Sequence, residues 1–210
     1  MIKKIFFVSI LLIQLSANAQ KDSNWNVGIE FSIDNLSSSD NFIVTQGNVN
    51  GYNIKFNKNN FNFGLVTNYL IQKKIKLSTG ILFSNKDVTA TYNCISCVHI
   101  GTFPGYPPEK IKQRFIVIPI AVNYELLKGK IRPVLNGGFK NNIKIKNDLK
   151  EQSKSYFLEA FVGASIHFNI SKNLETGIGY NYQINVTNLY NTNTFNLETN
   201  NYFLKINYNI

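Results

Sequence analysis

From residue 25 to the C-terminus, apolar and polar side chains alternate with a period of two. Trp25, Val27, Ile29, Phe31 and Ile33 are interleaved with Asn26, Gly28, Glu30 and Ser32. Phe63, Leu65, Thr67, Tyr69 and Ile71 repeat the pattern, as do Ile75, Leu77, Thr79, Ile81 and Phe83. It returns at Ile116 to Tyr124, at Ile131 to Phe139, at Tyr156 to Phe168, at Leu174 to Val186 and at Tyr202 to Ile210. Period two puts successive side chains on opposite faces of a strand. The chain is therefore expected to be all-β, with eight alternating segments. Between 51 and 62 the parity slips, because Tyr52, Ile54 and Phe56 are even and Phe63 onward is odd. A bulge or small turn near 57–60 would absorb that slip, so that either the second strand extends above the membrane or the segment forms a small extracellular hairpin.

The connections alternate in length. Short turns are expected near 72–74, at Lys128 and Gly129, and at 170–173, and longer loops near 34–50, 93–110, 146–153 and 188–199. Eight strands joined in this way describe an antiparallel transmembrane β-barrel with short periplasmic turns and longer extracellular loops. A secreted sandwich or lipocalin-like barrel is the soluble alternative. It gives no reason for Trp25, Tyr69, Tyr124, Phe168 and Tyr208 to collect at the short-turn ends of their strands, all on the apolar face. A headgroup boundary does, since aromatic rings settle there. These five residues are read as a periplasmic aromatic girdle.

The N-terminus supports export. Lys3 and Lys4 precede an apolar run over 5–15, and Ala17 and Ala19 follow in A-x-A spacing. Residues 1–19 are read as a cleaved signal peptide, 20–24 as a short periplasmic segment and 25–210 as the barrel. Cleavage would lower the formal charge from +10 to +8, because it removes two lysines and no acid. No cysteine stands directly after the apolar run to take a lipid anchor, and no later stretch is long and apolar enough for a membrane helix. The dispersed lysines of an exported chain argue against nucleic acid as a partner and for solvent or lipid headgroups.

Only 16% of residues are charged and 13% are aromatic, with a remainder rich in Asn, Ser, Thr and Gly. That mixture favours strands and turns. Two cysteines exclude a disulfide-dense scaffold. Cys94 and Cys97 form a C-x-x-C in an outer loop with His99 nearby. A local disulfide is the favoured reading, with free thiols and a metal or redox role as alternatives. No fourth metal ligand and no cofactor motif is evident. Nucleotide-loop, G-x-S-x-G and H-E-x-x-H patterns are absent. The two histidines, His99 and His167, lack a Ser and Asp nearby, so no triad is suggested.

Several short stretches then acquire a family likeness. Phe63-Gly64-Leu65, Ser78-Thr79-Gly80-Ile81-Leu82-Phe83-Ser84, Ile118-Pro119-Ile120, Gly137-Gly138-Phe139 and Tyr180-Asn181-Tyr182, in that order, resemble the PorT-like outer-membrane β-barrel family of diderm bacteria. The likeness spans most of 25–210. It implies a small eight-stranded barrel of OmpA/OmpX-like architecture, some of whose relatives serve protein secretion, and it carries no catalytic motif.

A barrel this narrow is filled by side chains, and its buried charges need partners. By parity Glu30, Lys205, Glu125, Arg132, His167 and Glu175 all face the lumen. Glu30 is expected to pair with Lys205 where the first and last strands close the barrel. A two-residue turn at Lys128 and Gly129 would set Glu125 opposite Arg132. A three-residue turn centred on Ser171 would set His167 opposite Glu175. The function expected is that of a non-enzymatic envelope or secretion-accessory protein in the outer membrane, in contact with lipid, lipopolysaccharide and possible protein partners. A narrow channel or transporter is the rival, and a rim enzyme a third class.

Overall fold

The computed structural model describes residues 24–38, 42–44, 51–56, 60–93, 107–149, 153–191 and 196–210. Its strands are β1 (Trp25–Ser38), β2 (Phe42–Val44), β3 (Gly51–Phe56), β4 (Asn60–Gln72), β5 (Ile75–Asn85), β6 (Val88–Asn93), β7 (Glu109–Ile111), β8 (Gln113–Glu125), β9 (Ile131–Asn147), β10 (Tyr156–Asn169), β11 (Leu174–Asn185) and β12 (Leu197–Asn209). Eight of them close a barrel in the order β1-β12-β11-β10-β9-β8-β5-β4. Every neighbouring pair is antiparallel, and β1 meets β12 from Asn26↔Asn209 to Ser38↔Leu197. Closure leaves no unpaired sheet edge, which is what a membrane span requires of strands. The shortest barrel strand, β5, has 11 residues, enough to cross a bilayer when tilted, since roughly 9–11 suffice.

The alternation is inverted relative to a water-soluble protein. Val27, Ile29, Phe31 and Ile33 are exposed on the outside, while Asn26, Glu30, Ser32 and Asp34 between them are buried. The same inversion holds on β8, where Ile120 and Val122 are exposed and Val117, Ala121 and Glu125 are buried. Parity fixes the register, because a slip of one residue would turn Glu30 or Asp34 outward.

The parity slip near 51–62 coincides with a change of sheet. β3 belongs to a second, four-stranded sheet in the order β2-β3-β6-β7, which lies on the long-loop side. The pattern did not announce this sheet, because β2 and β7 have three residues each. Ile54, Val88, Ala90 and Ile111 from its strands join Leu36, Phe115, Phe157, Leu189, Tyr190 and Leu197 in one buried apolar cluster. Leu36, Phe115, Phe157 and Leu197 share parity with the lumen-facing residues. The polar lumen thus gives way to an apolar cap at its extracellular end.

Two expected turns are corrected. Glu125 lies opposite Val134, not Arg132, so the connection is 126–130 rather than a two-residue turn. The amide of Leu126 donates to the Pro133 carbonyl at 2.9 Å. Pro133 has no N–H to return, so the ladder opens there instead of tightening. Gly129 carries the loop through a φ of 138°, a conformation that favours glycine. At the next turn His167 lies opposite Gly177, and Asn169 opposite Glu175. The Ser171 hydroxyl accepts the amides of Asn173 and Leu174 at 3.3 and 3.1 Å, which holds a longer turn. Both corrections move the partner by two residues, so parity survives.

Candidate functional site: the charged lumen

Three layers of charge occupy the lumen. The periplasmic layer is a network. Lys76 Nζ lies 2.8 Å from Glu125 and 3.6 Å from Glu175. Arg132 bridges the same two carboxylates, 3.3 Å from Glu125 and in direct contact with Glu175, and also donates to Asn169 at 2.8 Å. His167 Nδ1 is 2.5 Å from Glu175, and Asn207 donates to that carboxylate at 3.3 Å. Glu125 therefore contacts Arg132, and His167 contacts Glu175, along diagonals of the ladder rather than directly across it. Gly177 permits the second contact, since a Cβ there would lie 3.0 Å from the His167 ring.

The middle layer is the Glu30–Lys205 pair, directly cross-strand and 3.0 Å apart. Lys205 Nζ also lies 4.7 Å from the centre of the Phe203 ring. That ring occupies space left by Gly179, whose Cβ would meet Phe203 Cζ at 2.5 Å. The void at this level measures about 20 Å³ and is lined by Glu30, Val66, Lys140, Phe161 and Lys205 among others.

The extracellular layer is the driest. Lys86 follows β5 and lies 3.3 Å from Glu159 and 3.7 Å from Asp34, with all three side chains almost fully buried. Asp34 also accepts from Asn62 and Asn201 at 2.9 and 2.7 Å, and Glu159 from Asn142 at 2.9 Å. Burial pulls the Lys86 ammonium down, but Glu159 and Asp34 outweigh it and hold the group above its ordinary value. Above this layer Tyr190 donates to Gln113 Oε1 at 3.0 Å, and burial raises its phenol above the ordinary range.

On the outside, Trp25 and Tyr69 are cross-strand partners with ring centres 4.8 Å apart. Tyr124 and Tyr208 are exposed, and Phe168 is half-buried. All five belong to the strand ends beside the short turns. Cys94, Cys97 and His99 lie outside the described residues.

The family model for the outer membrane protein beta-barrel domain matches residues 5–203. The chain belongs to this family. The outer-membrane barrel has the fold of two solved structures in particular. Neisserial surface protein A matches it with a TM-score of 0.57 at 11% identity, over 90% of this chain and 98% of that one. The outer membrane protein OprG from Pseudomonas aeruginosa matches with a TM-score of 0.52 at 10% identity, over 90% and 96%. A search of curated proteins gave no match. The protein is an outer-membrane β-barrel, so its exposed apolar belt is the lipid-facing surface and its buried polar face the lumen.

Four charged residues of this outer-membrane barrel escaped the sequence reading: Lys76, Lys86, Asp34 and Glu159. Lys76 and Glu159 carry the same parity signal as their partners. Lys76 reaches Glu125 diagonally on the neighbouring β8 and Glu175 across the lumen on β11, and Glu159 meets Lys86 across the lumen, so pairing residues directly opposite on adjacent strands could not find them. Lys86 and Asp34 lie at strand ends that read as loop.

Proposed function

We propose that this outer-membrane barrel is a non-enzymatic interaction protein that works through its extracellular sheet and loops rather than by conducting solutes. The observation that carries this reading is the filling of the lumen. A mid-barrel void of about 20 Å³ has room for about one water molecule, far less than the passage of a hydrated solute requires. Above it, the Lys86 layer and the apolar cap close the extracellular end. The second sheet offers a polar outer face, where Asn53, Lys55, Thr89 and Thr91 line a shallow depression of about 480 Å³. The PorT-like resemblance refines the reading to an accessory of protein secretion or envelope assembly. In this reading residues 1–19 are removed on export, and 25–210 form the mature barrel.

Reconstitution in planar bilayers tests the central point. The protein is expected to give no discrete conductance steps. Reproducible unit steps that disappear when residues at the mid-barrel void are enlarged would favour a channel instead. Cross-linking on intact cells through Lys55 would then identify what the outer face meets.

A further inference from the structure

We propose that the periplasmic mouth of the barrel is a binding site for a phosphate group, held by Lys73, Lys128 and Arg132. The proposal stands apart from the extracellular reading above. At this end the lumen opens into a cavity of about 490 Å³ whose lining includes Lys73, Lys76, Lys128, Arg132, Glu125 and Glu175. Four cations against two carboxylates leave it net positive. The carboxylates are already engaged, Glu125 by Lys76 and Arg132, and Glu175 by Lys76, Arg132 and His167. Lys73 and Lys128, exposed on the turns, make no ion pair among the described residues. The Nε of Arg132 is buried with no acceptor. The cavity therefore offers uncommitted ammonium donors at its lip over the fixed positive charge of Arg132, and both of its carboxylates are already in ion pairs.

The surroundings reinforce the polarity. The three periplasmic turns, 73–74, 126–130 and 170–173, carry Lys73, Lys74, Lys128, Lys130 and Lys172 and no acid. Asn24, Asn26, Asn169 and Asn209 add amide groups around the opening. A tetrahedral oxyanion suits this set, because several oxygens can accept from ammonium and guanidinium donors at once. Two sources share that chemistry: a diffusible phosphate, and the headgroup phosphate of an inner-leaflet lipid leaning over the rim just beyond Trp25 and Tyr208.

The test uses the mature chain in dodecyl maltoside micelles, titrated with inorganic phosphate and followed by backbone amide shifts at 73–74 and 126–130. Saturable binding is expected. The double variant Lys73→Gln/Lys128→Gln should weaken it at least about tenfold, since each substitution removes a charge-assisted contact. The control Lys130→Gln/Lys172→Gln removes the same charge from the same rim away from the cavity and should change it less than about twofold. Repeating the titration in nanodiscs containing phosphatidylglycerol separates the sources. Phosphate binding that disappears there assigns the site to the lipid headgroup, and binding that persists assigns it to a diffusible anion. Equal weakening by both double variants would reduce the effect to diffuse surface charge and overturn the proposal. So would the absence of saturable binding both to phosphate and to phosphatidylglycerol.

Discussion

Replacing Lys86 by Met removes the only cation among the described residues that contacts Asp34 and Glu159, and leaves two buried carboxylates near each other. The two contacts, at 3.3 and 3.7 Å, are each worth about 4–5 kcal/mol at an effective dielectric near 20. Desolvating the ammonium takes back several kcal/mol of this, and removing one partner of a buried pair typically costs about 3–5 kcal/mol. Here Asn62 and Asn201 still donate to Asp34, and Asn142 to Glu159. The expected loss is therefore at the lower end, about 3 kcal/mol. Met keeps the length and apolar packing of the side chain, so the loss reports charge rather than a cavity. Urea unfolding of the barrel in lipid vesicles, read by tryptophan emission from Trp25 and by the mobility shift of folded barrels on gels, gives the number. The triple variant Lys86→Met/Asp34→Asn/Glu159→Gln should recover most of it, because no buried charge then lacks a partner. A loss below about 1 kcal/mol for Lys86→Met would place the triad in water rather than in a dry lumen. A triple variant no more stable than the single one would show that the three residues are not coupled.

Glu175→Ala should destabilise the barrel more than Glu125→Ala, by about 3 against about 1–2 kcal/mol. Arg132 and Lys76 both retain Glu175 when Glu125 is removed, whereas His167 loses its carboxylate when Glu175 is removed; the same urea assay compares them, and the reverse order would reject the network. Gly179→Val should cost at least about 2 kcal/mol by overpacking, because even its Cβ would lie 2.5 Å from Phe203 and 2.8 Å from the Ala164 carbonyl; the companion change Phe203→Leu should recover part of the loss, and a fully stable single variant would contradict the packing. Stability should also fall in alkali. Lys86 is raised in the folded barrel above 10.5, so its contribution is complete below pH 10.5 and is lost as pH rises through the folded value. Lys86→Met should therefore flatten the alkaline limb of a stability–pH curve, and an unchanged limb would assign that loss to other groups.

The barrel was legible because one rule, period two, acts over nearly every strand. Ile29 and Glu30 cannot exchange faces without placing a carboxylate in lipid, so parity alone separates lumen from lipid. The rule is silent about the number of residues in a turn. Changing a turn by two residues preserves every face, which is why Glu125 and Glu175 were placed on the correct side but opposite the wrong cross-strand neighbours. What restored their contacts was side-chain length, since Arg132 and His167 reach diagonally to carboxylates two positions away. The extracellular cap was illegible for a different reason. Phe115 and Phe157 face inward and pack edge to face, with ring centres 5.3 Å apart, where the lumen rule calls for polar residues. They are covered by β3 and β6, and no alternation in β8 or β10 encodes a sheet made from distant loops. The Lys86 triad joins β1, the β5–β6 connection and β10, and such a three-way contact leaves no mark on any one segment.

The most direct test of the inverted barrel is a nitroxide scan along β12 in lipid bilayers, with labels introduced singly at 201–208 in a chain whose Cys94 and Cys97 are replaced by Ser. Collision with oxygen, which concentrates in the hydrocarbon, reports lipid exposure. The account predicts high oxygen accessibility at 202, 204, 206 and 208, low accessibility at 201, 203, 205 and 207, and a strict period of two between them. Uniform accessibility, or maxima at the positions of Lys205 and Asn207, would contradict it.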